Sequence, residues 1–146
     1  EYHEAAELNI GDFVALSIPK YVADNKKITS DECYLYGLLL SSNSPTNPYQ
    51  IKIKKKIKEY LTIINFCHQY LDSKLVEYQI IDSKDEITVK WNSCLQLPFR
   101  YSDFYNNNQQ KRISKSWINL PVDKCQQIIK GIFHLKGKTI KNNILI

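Results

Sequence analysis

Tyr34-Leu35-Tyr36-Gly37-Leu38-Leu39-Leu40-Ser41-Ser42-Asn43 reads as a short, almost wholly apolar helix, and the rest of the chain can be placed around it. Thr29 and Glu32, just upstream, have the spacing of a capping box, in which each side chain satisfies the other residue's free amide. The helix should therefore open there. The polar run from Ser41 to Pro48, rich in Ser, Asn and Pro, should close it. Gly37 is the anomaly. A glycine in a leucine-rich helix costs about 1 kcal/mol relative to alanine, and close approach of a second backbone is the usual requirement that keeps one there. Only four glycines occur in the chain. Gly131 sits in a matching context, Ile128-Ile129-Lys130-Gly131-Ile132-Phe133-His134-Leu135-Lys136-Gly137, so the two segments are expected to pack as helices, glycine against glycine.

Outward from the first helix, residues 49–54 alternate cleanly, with Tyr49, Ile51 and Ile53 facing one way and Gln50, Lys52 and Lys54 the other. That pattern predicts a strand with one buried face and one basic, wet face. Residues 55–71 carry helical periodicity through Ile57, Leu61, Ile64 and Leu71, flanked by Tyr60 and His68. Two further strands, 76–80 and 87–91, are joined by Asp82-Ser83-Lys84-Asp85 as a hairpin, with Ile87, Val89 and Trp91 inward and Thr88 and Lys90 outward. The stretch 93–110 reads as an aromatic-bearing loop whose Asn/Gln run, 106–110, is expected to be mobile. Pro121 marks the start of the second glycine helix, and 139–146 reads as one final strand. At the other end, residues 6–16 predict a turn at Gly11-Asp12 followed by a strand, and a polar linker follows.

The chain is long enough for one domain with a real core and too short for two comfortable ones. Its composition, 43% hydrophobic and 24% charged, excludes wholesale disorder. No apolar run approaches the roughly 20 residues of a membrane span, and the start lacks the pattern of a signal peptide. An intracellular protein with no membrane partner is expected. Cys33, Cys67, Cys94 and Cys125 are scattered without a Cys-x-x-Cys pair, which reads as reduced, partly buried thiols and no structural metal. The formal charge of +5 permits nucleic-acid binding without establishing it.

The order helix, strand, helix, hairpin, linker and second glycine helix resembles the LAGLIDADG homing endonucleases, specifically the endonuclease segment of inteins. The residues that carry the resemblance are Leu35-Tyr-Gly-Leu-Leu-Leu-Ser-Ser-Asn43, Ile129-Lys-Gly-Ile-Phe-His-Leu-Lys-Gly137, and the lysine block Lys111-Arg112-Ile113, with Ser114 where a proline is usual. Residues 6–16 resemble the strand by which a splicing domain leads into such an insert. The resemblance implies an α+β, αββαββα-like half saddle built on two packed motif helices, with Gly37 and Gly131 at their contact. It divides the chain into a lead-in strand and linker (1–28), a first repeat with its inter-repeat linker (29–120), and a second motif helix with a truncated second repeat (121–146).

Its functional implications are equally specific. Double-stranded DNA would lie on the basic face of Lys52, Lys54 and Lys90, joined by Arg112 and Lys115 of the lysine block. A flanking intein splicing domain and a host protein would be further partners, and localisation, cytoplasmic or nuclear, would follow the host. In the active family, each motif helix ends in an acidic residue, and the pair holds Mg²⁺ at the scissile phosphates. Here Ser42 and Lys136 occupy those two positions, with Lys111 as the third position matching the family's active site. Hydroxyl and ammonium groups make poor ligands for a cation that wants hard, anionic oxygen. Asp31 and Glu32 lie at the far end of their helix, roughly 15 Å from Ser42 at 1.5 Å per residue. The expectation is a degenerate domain without cofactor, in which cleavage is lost. Two alternatives stand beside it: cleavage through a relocated metal site, and a non-catalytic DNA-binding module on the same scaffold.

Overall fold

Thr29 and Glu32 form the reciprocal pair anticipated for a capping box. In the computed structural model, the Glu32 amide donates to Thr29 Oγ1 at 3.4 Å and the Thr29 amide to Glu32 Oε2 at 2.6 Å, opening helix α1 at Ser30–Ser42. The structure describes residues 24–93 and 95–136, together with the backbone of two short strands, Lys138–Ile140 and Asn143–Leu145. The lead-in strand expected at 6–16, most of the linker after it, Cys94 and Gly137 lie outside the described residues.

Every residue of α1 from Glu32 to Ser41 is buried. A helix that is apolar all round must be enclosed on all sides, and each side of α1 has a different neighbour. Tyr34 meets Phe66 edge-on, with ring centroids 4.7 Å apart. Tyr36 stacks on Trp117 at 4.1 Å and lies among Phe99 and Phe104. Glu32, only 3% exposed, keeps its charge by accepting hydrogen bonds from Tyr70 and Lys74 as well as from Thr29. Burial alone would raise its pKa, but those donors outweigh it and hold the carboxyl below its ordinary value.

Beneath α1 lies an antiparallel sheet of β1 (Gln50–Lys54), β2 (Tyr78–Asp82) and β3 (Glu86–Trp91), in the order β1-β3-β2. Ile51 pairs with Val89 and Ile53 with Ile87, so these side chains share the face turned to the core. The opposite face carries Lys52 beside Thr88 and Ile81, and Gln50 beside Lys90 and Gln79. Two residues expected in water are covered: Thr88 is 8% and Gln50 9% exposed. Thr88 sits on the central strand, flanked on both sides, and Gln50 is pinned under the end of α1 through its carbonyl. The β2–β3 hairpin closes through Ser83 N to Glu86 O at 2.9 Å, as the turn residues suggested.

Helix α2 spans Tyr60–Ser73 and so starts later than the periodicity predicted. Residues 55–59 form turns instead, with Ile57 N on Lys54 O and Tyr60 N on Ile57 O. Lys55 N donates to Asp85 O at 2.9 Å, which holds the chain to the hairpin past the end of β1, and the lysine run disfavours an earlier helix start because it sets like charge against the positive end of a helix. The buried stripe is Ile63, Ile64, Cys67, Tyr70 and Leu71, whereas Leu61, read as part of it, is 57% exposed.

The segment expected to be an aromatic loop is a packed wall. It carries a single-turn helix, α3 (Tyr101–Phe104), and buries Leu97, Phe99 and Phe104; the stretch after it adds a second, α4 (Lys115–Ile118), with Trp117 and Leu120 buried. The Asn106–Gln110 stretch forms a hydrogen-bonded turn. Asn106 Oδ1 accepts from the amides of Asn108 and Gln110, and a bridge between Tyr105 and Lys111 closes its base. Helix α5 follows at Val122–Lys136, its first turn held by Cys125 N on Pro121 O. The single strand expected over 139–146 is instead two paired strands, β4 (Lys138–Ile140) and β5 (Asn143–Leu145). No helix among the described residues is long and apolar enough to cross a membrane.

The described residues thus form an α+β fold, with one sheet strand fewer between α1 and the linker than αββαββα requires. Cys33, Cys67 and Cys125 are free thiols, the first two buried. Burial pushes both of those thiols up to about 12, which makes them poor nucleophiles.

Candidate functional site

Helices α1 and α5 press together at their glycines. A methyl group at Gly37 would overlap the Ile128 carbonyl oxygen and come within 3.1 Å of Gly131 Cα. One at Gly131 would overlap the Tyr34 carbonyl oxygen and lie 2.9 Å from Leu38 N. These neighbours are backbone and cannot swing aside. The register is locked by two polar links: Ser41 Oγ donates to Ile132 O at 3.3 Å, and Tyr34 OH meets His134 Nδ1 at 2.8 Å.

That register brings the C-terminal ends of both helices to one place. Ser42 from α1 and Lys136 from α5 line a single hollow of about 230 Å³, together with Ser41, Lys52, Lys54, Ile57 and Leu135. The polar face of β1 thus opens onto the ends of the helix pair. The Ser42 hydroxyl is turned to backbone, 3.0 Å from Leu38 O and 3.2 Å from Gln50 O. Lys111 reaches the same helix end, donating from Nζ to Leu40 O at 2.8 Å and Asn43 O at 3.1 Å. Its pKa is lowered, first by burial and then by the like charge of Lys136. Tyr105 braces the corner by donating to Asn43 Oδ1 at 2.9 Å.

Of the residues singled out in the sequence, Ser42, Lys136, Lys52 and Lys54 meet in this hollow, and Lys111 backs it. Lys90 shares the outward sheet face with Lys52 and Lys54 but lines other concavities. Arg112 is engaged structurally, with Nε and Nη2 donating to Ser102 O at 3.1 and 2.8 Å. Lys115 opens α4 and does not line the hollow.

Sequence reasoning missed a second basic hollow of about 340 Å³, lined by Lys54, Lys55, Lys56, Lys84 and Asp85. Lys54 belongs to both hollows, so the lysines form a continuous stripe. The run Lys52-Ile-Lys-Lys-Lys-Ile-Lys58 was its signal, partly hidden because those residues were assigned to a strand and a helix. Lys55 is partly neutralised by Asp82 at 2.6 Å. A larger concavity, about 780 Å³, runs along β2 past Asp72, Glu77, Tyr78 and Trp91, away from the helix ends. In its lining Tyr78 OH donates to Asp72 Oδ1 at 3.0 Å and meets His68 Nδ1 at 2.6 Å.

The donor set at the helix ends does not suit a divalent cation. Such ions need several hard oxygen ligands, usually carboxylates. Here the lining offers ammonium groups and two hydroxyls close to backbone carbonyls. No group of three or more His, Cys, Asp or Glu side chains placed to hold a metal occurs among the described residues. Glu32, the nearest acidic candidate in the first motif, is committed to Thr29, Tyr70 and Lys74 at the opposite end of α1.

No protein-family model matches the chain, and no curated protein matches it.

Proposed function

We propose that this chain is a degenerate homing-endonuclease domain of the LAGLIDADG kind, carried by an intein, that meets duplex DNA without cutting it. The observation that carries the reading is the convergence of Ser42 and Lys136 on one basic hollow, at matching ends of two helices joined through Gly37 and Gly131. In an active member of that family, a carboxylate pair would stand at those two positions. On this reading the three-stranded sheet is one wing of a saddle, reduced by a strand, and its lysine face is the groove-facing surface. A splicing domain and host protein would flank it, and it would go wherever that host goes.

Lysine contacts of this kind position a protein on the phosphate backbone without reading sequence. Binding should therefore be weak and steeply salt-dependent. If Lys90 neutralises one phosphate and the cluster of Lys52, Lys54 and Lys136 another, log K should fall with log salt with a slope of about −2. The test pairs two measurements on the purified chain. Anisotropy with a labelled random duplex should give that dependence, and supercoiled plasmid should stay intact with Mg²⁺ or Mn²⁺. Absence of duplex binding at low salt overturns the DNA reading. Nicking that EDTA abolishes overturns the loss of cleavage and favours a relocated metal site.

A further inference from the structure

We infer that Lys136, Lys52 and Lys54 form a metal-independent seat for one backbone phosphate of duplex DNA, in the hollow at the ends of α1 and α5. The inference rests on the proposal that DNA lies on this face, and it assigns the helix-end hollow a role of its own. Three lysines line the hollow and no acidic residue does. At about 30 Å³ per water, its volume of about 230 Å³ holds a phosphate group with part of its hydration shell.

One feature argues against an anion here: helix C-termini present carbonyl oxygens and the negative end of the helix dipole. The structure answers that objection. Lys111 caps the Leu40 and Asn43 carbonyls, neutralising the end of α1, and Lys136 lies in the last turn of α5. With those carbonyls capped, the charge facing the hollow is that of the lysines. The Ser41 hydroxyl donates to Ile132 O, and that of Ser42 is turned to the Leu38 and Gln50 carbonyls. Recognition therefore falls to point charges on flexible stems, which hold any phosphodiester and discriminate no base. Lys54 links this seat to the neighbouring lysine hollow, so a strand crossing both would place successive phosphates on one stripe.

The consequence is an inverted response to divalent ions. Added Mg²⁺ should compete with the lysines for phosphate instead of bridging the protein to it. The experiment is anisotropy with a fluorescein-labelled random duplex, in EDTA and in MgCl₂ at matched ionic strength, for the wild type, Lys136→Ala, Lys52→Ala and Lys27→Ala. Lys27 is the control because it precedes the opposite end of α1. The wild type should bind at least as tightly in EDTA as in MgCl₂. Lys136→Ala should weaken binding severalfold, with its thermal midpoint unchanged because Lys136 is exposed. Lys52→Ala should behave alike, and Lys27→Ala like the wild type. Binding that needs Mg²⁺ overturns the inference. So does a Lys136→Ala variant with wild-type affinity beside a weakened Lys52→Ala, a result that leaves DNA on the sheet and spares the proposed function. A wild type that binds no duplex defeats both.

Discussion

Gly131 shows how much can hang on a single hydrogen in place of a methyl. Alanine there would overlap the Tyr34 carbonyl oxygen and crowd Leu38 N. Overpacking of this kind costs about 1–3 kcal/mol, against about 1 kcal/mol recovered from alanine's better helix propensity. Gly131→Ala should therefore lose stability in urea denaturation, although the same exchange at an unpacked helical site would gain it. A gain at Gly131 would mean the helices do not touch. The need for these glycines was legible in the sequence, because glycine is costly in a helix and only four occur in the chain. Which atoms they make room for was not, because that depends on the rotation of each helix about its own axis.

Helices α1 and α5 are joined by polar links as well as by the notch. His134 is held below its ordinary pKa, chiefly by burial and then by Lys130, with Glu59 opposing. Its neutral form meets Tyr34 OH, whose own pKa is pushed up to about 12 by burial. A group with a depressed folded pKa contributes stability that is complete above its unfolded value and is lost as pH falls through the folded one. The helix pair should weaken as pH falls below the ordinary histidine value of about 6.5 and through the lower one that His134 has in the fold. His134→Gln should abolish that part of the decline in thermal midpoint. An unchanged profile in the variant would show that the histidine does not report on the pair. At this scale the sequence was clear where one face of an element is buried and unclear where tertiary partners choose the boundary. The strand at β1 was plain from its alternation, but the start of α2 depended on where the lysine run became unfavourable to a helix dipole. The aromatic wall looked like loop because its rings pack on Tyr36 of α1 and on one another at irregular spacings, which leave no helical or strand period in the sequence.

For the molecule as a whole, the proposal is that the scaffold remains while the charge at its centre has changed sign. Restoring carboxylates by Ser42→Asp with Lys136→Asp should create a divalent-ion site where the wild type has none. The readout is the thermal midpoint with and without Ca²⁺ or Mn²⁺. It should rise with the ion in the double variant, because ligand that binds only the folded state stabilises it, and stay put in the wild type. An equal rise in both would place the ion elsewhere. The sequence by itself determined the capped apolar helix, its glycine, the alternating strand and the absence of acidic side chains at positions 42 and 136, because each is read from residue identity, local chemistry or spacing. Only the tertiary structure decided that Ser42, Lys52, Lys54 and Lys136 face one hollow and that Lys111 caps the helix end behind it. Lys111 and Lys136 are far from Ser42, Lys52 and Lys54 in the chain, and Lys136 joins them because backbone contact at two glycines sets the register of α1 against α5.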